Sequence, residues 1–162
     1  MPRSYVRIIV HTVFGTKYRA PLIDPIIEQK LFNYVIFLFK EMGVKVIRIN
    51  GGFDHLHIVH NLPRTKSIAE IIKHVKGSSS GWMKKQGPQY RNFTWQEGYG
   101  CFSCDYRDLD GLLRYIDNQK KHHYGSDYGK IARLTFEQEY GKILKAYGYD
   151  FDWDSEFPDA PT

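Results

Sequence analysis

The chain reads as an α+β domain in which two split β-α-β units share one antiparallel sheet. Three observations lead there. Alternating apolar runs rich in Val, Ile and Phe are interleaved with longer runs of helical period, in the order β-α-β-β-α-β. Further helical segments follow. Pro, Gly, Asn and Asp cluster where the period changes. This order builds a ferredoxin-like sheet with helices on one face, and it leaves the other face for a site or for another chain.

Each element has its own signal. "SYVRIIVHTVFG" (4–15) alternates and is β-rich, so it is a first strand. "DPIIEQKLFNYVIFLFKEMG" (24–43) is a helix, with Asp24 as N-cap, Pro25 at its first position and Gly43 closing it. "VKVIRINGG" (44–52) and "HLHIVHNL" (55–62) are the second and third strands, joined at a Gly-Gly turn. "TKSIAEIIKHVKGSSSGWMKKQG" (65–87) is a helix capped near Thr65 or Ser67, with Glu70 placed for a capping box. Gly77 to Gly81 weaken its middle. "YGCFSCDY" (99–106) is the fourth strand. "RDLDGLLRYIDNQKKHHYG" (107–125) and "TFEQEYGKILKAYG" (135–148) are helices, the second with Thr135 as cap.

The 162 residues suffice for one domain, placed at 1–147, and for a core that needs no disulfide. Cys101 and Cys104 are the only cysteines, a usage that fits a reducing compartment. The opening residues lack the apolar core and cleavage site of a signal peptide, and no run approaches a membrane span. The expectation is a soluble, cytoplasmic protein. The net charge of +5 is uneven. Residues 148–162 form an acidic aromatic tail with five carboxylates and no Lys or Arg, and removing that −5 leaves +10 on residues 1–147. A body so basic, in a chain that is 15% aromatic, fits a polyanionic partner.

"DHLHIVH" (54–60) holds three histidines. Side chains alternate along a strand, so His55 and His57 share a face and His60 takes the other. Two imidazoles can hold an ion only if a third donor arrives from elsewhere; otherwise they are two polar residues on a solvated face. Asp54 can serve as a ligand or can orient an imidazole. Cys101 and Cys104 are three apart on a strand and face opposite ways, and no second Cys-x-x-Cys exists, so a structural zinc site is not indicated.

On the 107–125 helix Tyr115 and Gln119 are i and i+4, stacked on one face. A phenol can attack phosphorus, and an amide oxygen can coordinate a cation. With His55 and His57 they would make an N,N,O-ligated ion with open positions beside a nucleophile, as metal-assisted chemistry requires. A lone Tyr on an amphipathic helix usually packs, so Tyr115 gains its meaning only from this combination.

The ordered set of "HTVFGTKYR", "GGFDHLHIV", "FTWQEGYGCFS" and "LLRYIDNQKKHH" resembles the single-tyrosine HUH transposases, the IS200-like enzymes of insertion sequences that move as single-stranded DNA. The likeness covers most of residues 5–125. It implies His55, His57 and Gln119 as ligands of a divalent ion, usually Mg or Mn. It implies Tyr115 as the nucleophile that gives a 5′-phosphotyrosine and a free 3′-hydroxyl, keeping the bond energy for rejoining without ATP. It also implies recognition of DNA hairpins near element ends, and a homodimer in which the tyrosine helix often serves the partner's histidine pair. Two features depart from the family: His60, where an apolar residue is more usual, and the tail after Gly148.

Lys17, Arg19, Lys73, Lys76, Lys84, Lys85 and Arg91 are the candidate phosphate contacts. Trp95 and Tyr99 are candidates for stacking on unpaired bases, or for the core. The alternatives are a non-catalytic RNA-recognition-type module, and a domesticated or repeat-associated HUH tyrosine nuclease. The former shares the element order. However, its aromatic strand motif half-matches "EGYGCFSCDY" on the wrong strand, with Glu97 and Cys104 at positions that call for a base and an aromatic.

Overall fold

A computed structural model of the chain describes residues 2–124 and 134–150. Four strands, β1 (Ile9–Gly15), β2 (Val46–Gly52), β3 (His55–Asn61) and β4 (Gly100–Cys104), form one sheet in the order β2-β3-β1-β4. Every neighbouring pair is antiparallel. This is the split β-α-β sheet expected from the element order. β1 is shorter than the apolar run that predicts it. Its partners end where it begins, since Ile9 pairs with Asn61 on one side and Cys104 on the other. Residues before Ile9 have no ladder to join, and Tyr5, Val6 and Ile8 are exposed.

Helices α1 (Glu28–Glu41) and α2 (Ile68–Lys84) cover one face. Asp24 caps the turn leading into α1, with Oδ1 accepting from the Ile26 and Ile27 amides at 3.0 Å. Ser67 caps α2 by accepting from the Glu70 amide at 3.1 Å. Gly77 and Gly81 do not interrupt α2, because Ile71, Ile72, Val75 and Met83 anchor it on the main core. That core also takes Phe14, Leu31, Val35, Phe39, Leu56 and Ile58. Trp95 belongs to it as well, edge-on to both Phe14 and Phe93, with its indole N–H donating to Ser79 Oγ at 2.9 Å. Burial removes Trp95 from any base-stacking role, whereas Tyr99 remains 39% exposed.

The second face is covered by the chain itself. α3 (Leu109–Asp117), α4 (Gln119–Tyr124) and α5 (Phe136–Ala146) lie over it. The tyrosine helix, expected from the sequence to run unbroken over 107–125, breaks at Asn118, where φ −95° and ψ 14° leave the helical region. Asn tolerates that bridge conformation better than most residues, and its N–H still reaches the Arg114 carbonyl at 3.1 Å, so the chain barely deviates. α5 begins with a full capping box at Thr135 and Gln138. No helix among the described residues is long and apolar enough to cross a membrane. The acidic stretch beyond Asp150 lies outside the described residues.

Candidate active site

β3 is the floor of the site. His55 and His57 project to the α3–α5 face, while Leu56, Ile58 and His60 project to the α1–α2 face. Strand alternation thus splits the triplet as the sequence requires. His60 packs on Phe39 with ring centroids 4.7 Å apart, and Thr12 Oγ1 sits 2.8 Å from its Nε2. Its Nδ1–H donates to its neighbour's carbonyl, that of Asn61, at 2.9 Å. Burial lowers its pKa to about 4, so it is a neutral core imidazole.

The turn before β3 explains the Gly-Gly pair. A Cβ on Gly51 would be driven into the His55 carbonyl, and one on Gly52 would meet the His55 ring at 2.8 Å. Only glycine lets β2 close so tightly on the first histidine. Asn50 beside them donates to the Ile116 carbonyl at 2.8 Å, and Lys120 donates to the Gly51 carbonyl at 2.7 Å. These two bonds hold α3 and α4 over β3.

One carboxylate lies at the centre of the site. Glu139, on α5 and 2% exposed, places Oε1 2.8 Å from His57 Nε2, 3.1 Å from His123 Nε2 and 3.5 Å from His55 Nε2. Its Oε2 accepts from the Tyr115 hydroxyl, and from Gln119 Nε2 at 2.9 Å. The Gln119 carbonyl oxygen then faces His55 Nε2 at 3.1 Å. Asp54 takes the orienting role: its Oδ1 binds His55 Nδ1 at 2.8 Å, which leaves Nε2 directed inward. His11 on β1 does the same for His57, with Nε2 2.7 Å from His57 Nδ1.

The electrostatics follow from this geometry. Burial opposes charge on Glu139, but His57, His123 and His55 outweigh it and hold the carboxyl well below its usual range. Burial lowers the pKa of His57 despite Glu139. His55 is also penalised by burial, yet the Asp54 hydrogen bond and charge, with Glu139, raise it above its ordinary value. Burial, and the charge of Glu139, push the Tyr115 phenol far up. His11 falls to about 3 through burial and its neighbour His57.

His55, His57 and Glu139 offer donor atoms that all lie within 4.8 Å of one another. Two imidazole nitrogens with a carboxylate oxygen suit a divalent cation, and the Gln119 oxygen lies at the same point. A cavity of about 440 Å³ opens beside it, lined by His11, Tyr115, His122, Glu139, Lys142 and Tyr147 among others.

The structure therefore gathers Tyr115, His55, His57 and Gln119 around one centre. It adds His11, His123 and Glu139, which the sequence reading did not select. His123 had a signal, since it is four residues after Gln119 and eight after Tyr115. His11 had one in its odd position on β1, in phase with Val13. Glu139 had none, because only the packing of α5 brings it in.

The basic candidates separate. Lys73, Lys84 and Arg91 are exposed and Lys17 is half-buried. Lys76 is otherwise engaged: its ammonium donates to the Gln96 and Gly98 carbonyls at 2.6 and 2.7 Å, and burial lowers its pKa to about 8. It ties down the loop before β4. Arg19 pairs with Glu137 on α5. Tyr18 and Arg19 both adopt positive φ, at 59° and 52°. Two consecutive non-glycine residues in that region cost roughly 1–2 kcal/mol each. The strained loop holds the Tyr18 ring 54% exposed, with the Lys17 ammonium 5.4 Å from its centroid.

The family model described as "Transposase IS200 like" matches residues 4–119, a span that includes both histidines, Tyr115 and Gln119. The chain belongs to the IS200-like transposase family. Two solved structures share its fold. One is a candidate transposase from Deinococcus radiodurans R1, with 20% identity and a TM-score of 0.58 over 74% of this chain and 96% of that one. The other is a REP-associated tyrosine transposase bound to a REP hairpin, with 15% identity and a TM-score of 0.60 over 94% of this chain and 91% of that one. Comparison with curated protein sequences returns no match. For an IS200-like transposase the helices over the second face are informative: Tyr115 lies against the histidine pair of its own chain, its ring 5.9 Å from that of His57.

Proposed function

We propose that this transposase cleaves and rejoins single-stranded DNA through Tyr115, with a divalent cation held by His55, His57, Gln119 and Glu139. The observation that carries the proposal is the convergence on the Glu139 carboxylate of the Tyr115 hydroxyl, the two β3 histidines and Gln119. Among the described residues this is the point where a phenolic nucleophile meets a set of metal-binding atoms.

The chain's own groups divide the work. Tyr115 attacks the scissile phosphorus. Its hydroxyl donates to Glu139 Oε2, which orients it, and its proton is lost to solvent as the bond to phosphorus forms. The 3′ oxygen departs, takes up a proton from solvent and is retained as a 3′-hydroxyl, and the 5′ phosphate stays on the tyrosine. Reversal of the same step on another 3′-hydroxyl rejoins the strand. In the geometry described, the negative Glu139 keeps Tyr115 protonated. Bound positive charge between the histidines would lower the proton affinity of the phenol and polarise the phosphate. The cavity beside Tyr115 is the entrance for the scissile nucleotide, with Lys142 at its wall.

A DNA hairpin is the proposed ligand, because a fold relative holds one. Lys17, Lys73, Lys84 and Arg91 are the proposed phosphate contacts, and Tyr18 is placed to stack on an unpaired base. The test is a covalent-adduct gel. Labelled single-stranded hairpin DNA is incubated with the protein, with and without Mn, beside Tyr115→Phe. A metal-dependent, denaturant-resistant band that the variant lacks, with hairpin binding retained, is expected. Tight hairpin binding without any adduct would turn the reading to a binding protein.

A further inference from the structure

One of the two histidines on α4, His123, has the attributes of a metal ligand, although the sequence reading gave it no role and the match to the family ends at residue 119. His123 is 1% exposed and lies one helical turn beyond Gln119. Its Nδ1 faces the Leu134 carbonyl, which can only accept. The Nδ1 proton is therefore committed there, and a neutral ring turns its Nε2 lone pair inward. His55 is arranged the same way, with Nδ1 on the Asp54 carboxylate at 2.8 Å.

Those inward nitrogens meet acceptors and not donors. His123 Nε2 is 3.1 Å from Glu139 Oε1 and 3.2 Å from the Gln119 carbonyl oxygen. His55 Nε2 is 3.1 Å from that same oxygen and 3.5 Å from Glu139 Oε1. The Gln119 amide cannot be turned to help without losing its donation to Glu139 Oε2 at 2.9 Å. Either a proton or a bound cation satisfies these facing atoms, and a single cation among them does so for all of them at once. The spacings also fit. Donors bound at ~2.1 Å sit ~3.0 Å apart around an octahedral ion and ~3.4 Å apart around a tetrahedral one. The nitrogen-to-oxygen separations here run from 2.8 Å, for His57 to Glu139, to 3.5 Å, and the His55, His57 and Glu139 donors all lie within 4.8 Å of one another.

We propose that His123 is a third imidazole donor to the cation, making the centre a three-nitrogen site that favours Mn, Co or Zn over Mg. Imidazole suits these borderline ions, whereas Mg requires an oxygen-dominated shell. The inference rests on the metal reading of this same site.

The test is metal binding by the whole chain without DNA. Co(II) affinity is measured by calorimetry and by visible absorption for the native protein, His57→Ala and His123→Ala, with circular dichroism as the folding check. Loss of affinity in both variants, by about 10- to 100-fold for His123→Ala, is expected, together with weaker discrimination against Mg. Loss in His57→Ala alone overturns the role of His123 and leaves the metal reading intact. No binding by the native chain sinks both. X-ray absorption of the native Zn-loaded chain counts imidazoles independently of any variant: three supports the inference and two refutes it.

Discussion

Lowering the pH from 7 to 5 should destabilise the fold through His60, and the structure sets the size of the effect. His60 is fully buried against Phe39, with its Nδ1–H on the Asn61 carbonyl and its Nε2 beside Thr12. Its pKa falls from 6.5 to about 4 on folding. The unfolded chain therefore takes up a proton below pH 6.5 while the folded chain does not, and stability drops as pH falls through that window. At ~1.36 kcal/mol per pH unit the loss reaches ~3 kcal/mol near pH 4, with ~2 kcal/mol of it present at pH 5. His60→Gln removes the titration, and its amide can still meet Thr12. Urea unfolding of both proteins at pH 7, 6 and 5, in chelator, measures the difference. His11, depressed by burial and in smaller part by His60 itself, and His55, shifted the opposite way, titrate in both proteins and largely cancel. The native chain should lose ~2 kcal/mol more than the variant between pH 7 and 5. Equal losses would refute the argument and put His60 in a solvated or polar setting.

Mixing Tyr115→Phe with His57→Ala tests whether the tyrosine acts on its own chain. The placement of Tyr115 over its own histidine pair predicts no restored cleavage, and recovery in the mixture would show that the tyrosine helix is exchanged between subunits. Thr135→Ala removes the cap of α5 and should cost ~1 kcal/mol, speeding amide exchange in Phe136–Ala146 about fivefold. An unchanged exchange rate there would mean that packing alone holds α5 and Glu139. Gly51→Ala drives a Cβ into the His55 carbonyl, so both unfolding stability and cleavage should fall. An alanine variant with native stability would contradict the close approach of β2 to β3.

Local chemistry accounts for most of the fold. Strand alternation alone separated His55 and His57 from His60, because the period of two is a property of the backbone and needs no neighbours. Asp24, Ser67 and Thr135 signalled their helices because a cap acts within three residues of itself. The Gly-Gly turn marked the close approach before β3 for the same reason. Boundaries were less legible. β1 stops at Ile9 because β3 and β4 end beside it, and the 107–125 helix breaks at Asn118.

The site was legible only as far as its spacing is local. His55 with His57, and Tyr115 with Gln119, are pairs on single elements, so their faces follow from period. That the two pairs meet is a long-range fact, set by Asn50 and Lys120 tying α3 and α4 to the β2 end. Glu139 shows the limit most clearly. In "TFEQEYG" it is one of two glutamates in the first turn of an amphipathic helix, and nothing nearby distinguishes it from Glu137. Docking of α5 on Phe102 and Val13 buries the first among three imidazoles and turns the second toward Arg19. The sequence by itself determined the elements, their faces and the residue types able to do phosphoryl chemistry. The tertiary structure decided which carboxylate joins them, because a contact between residues 82 positions apart in the chain depends on helix packing and not on any local period.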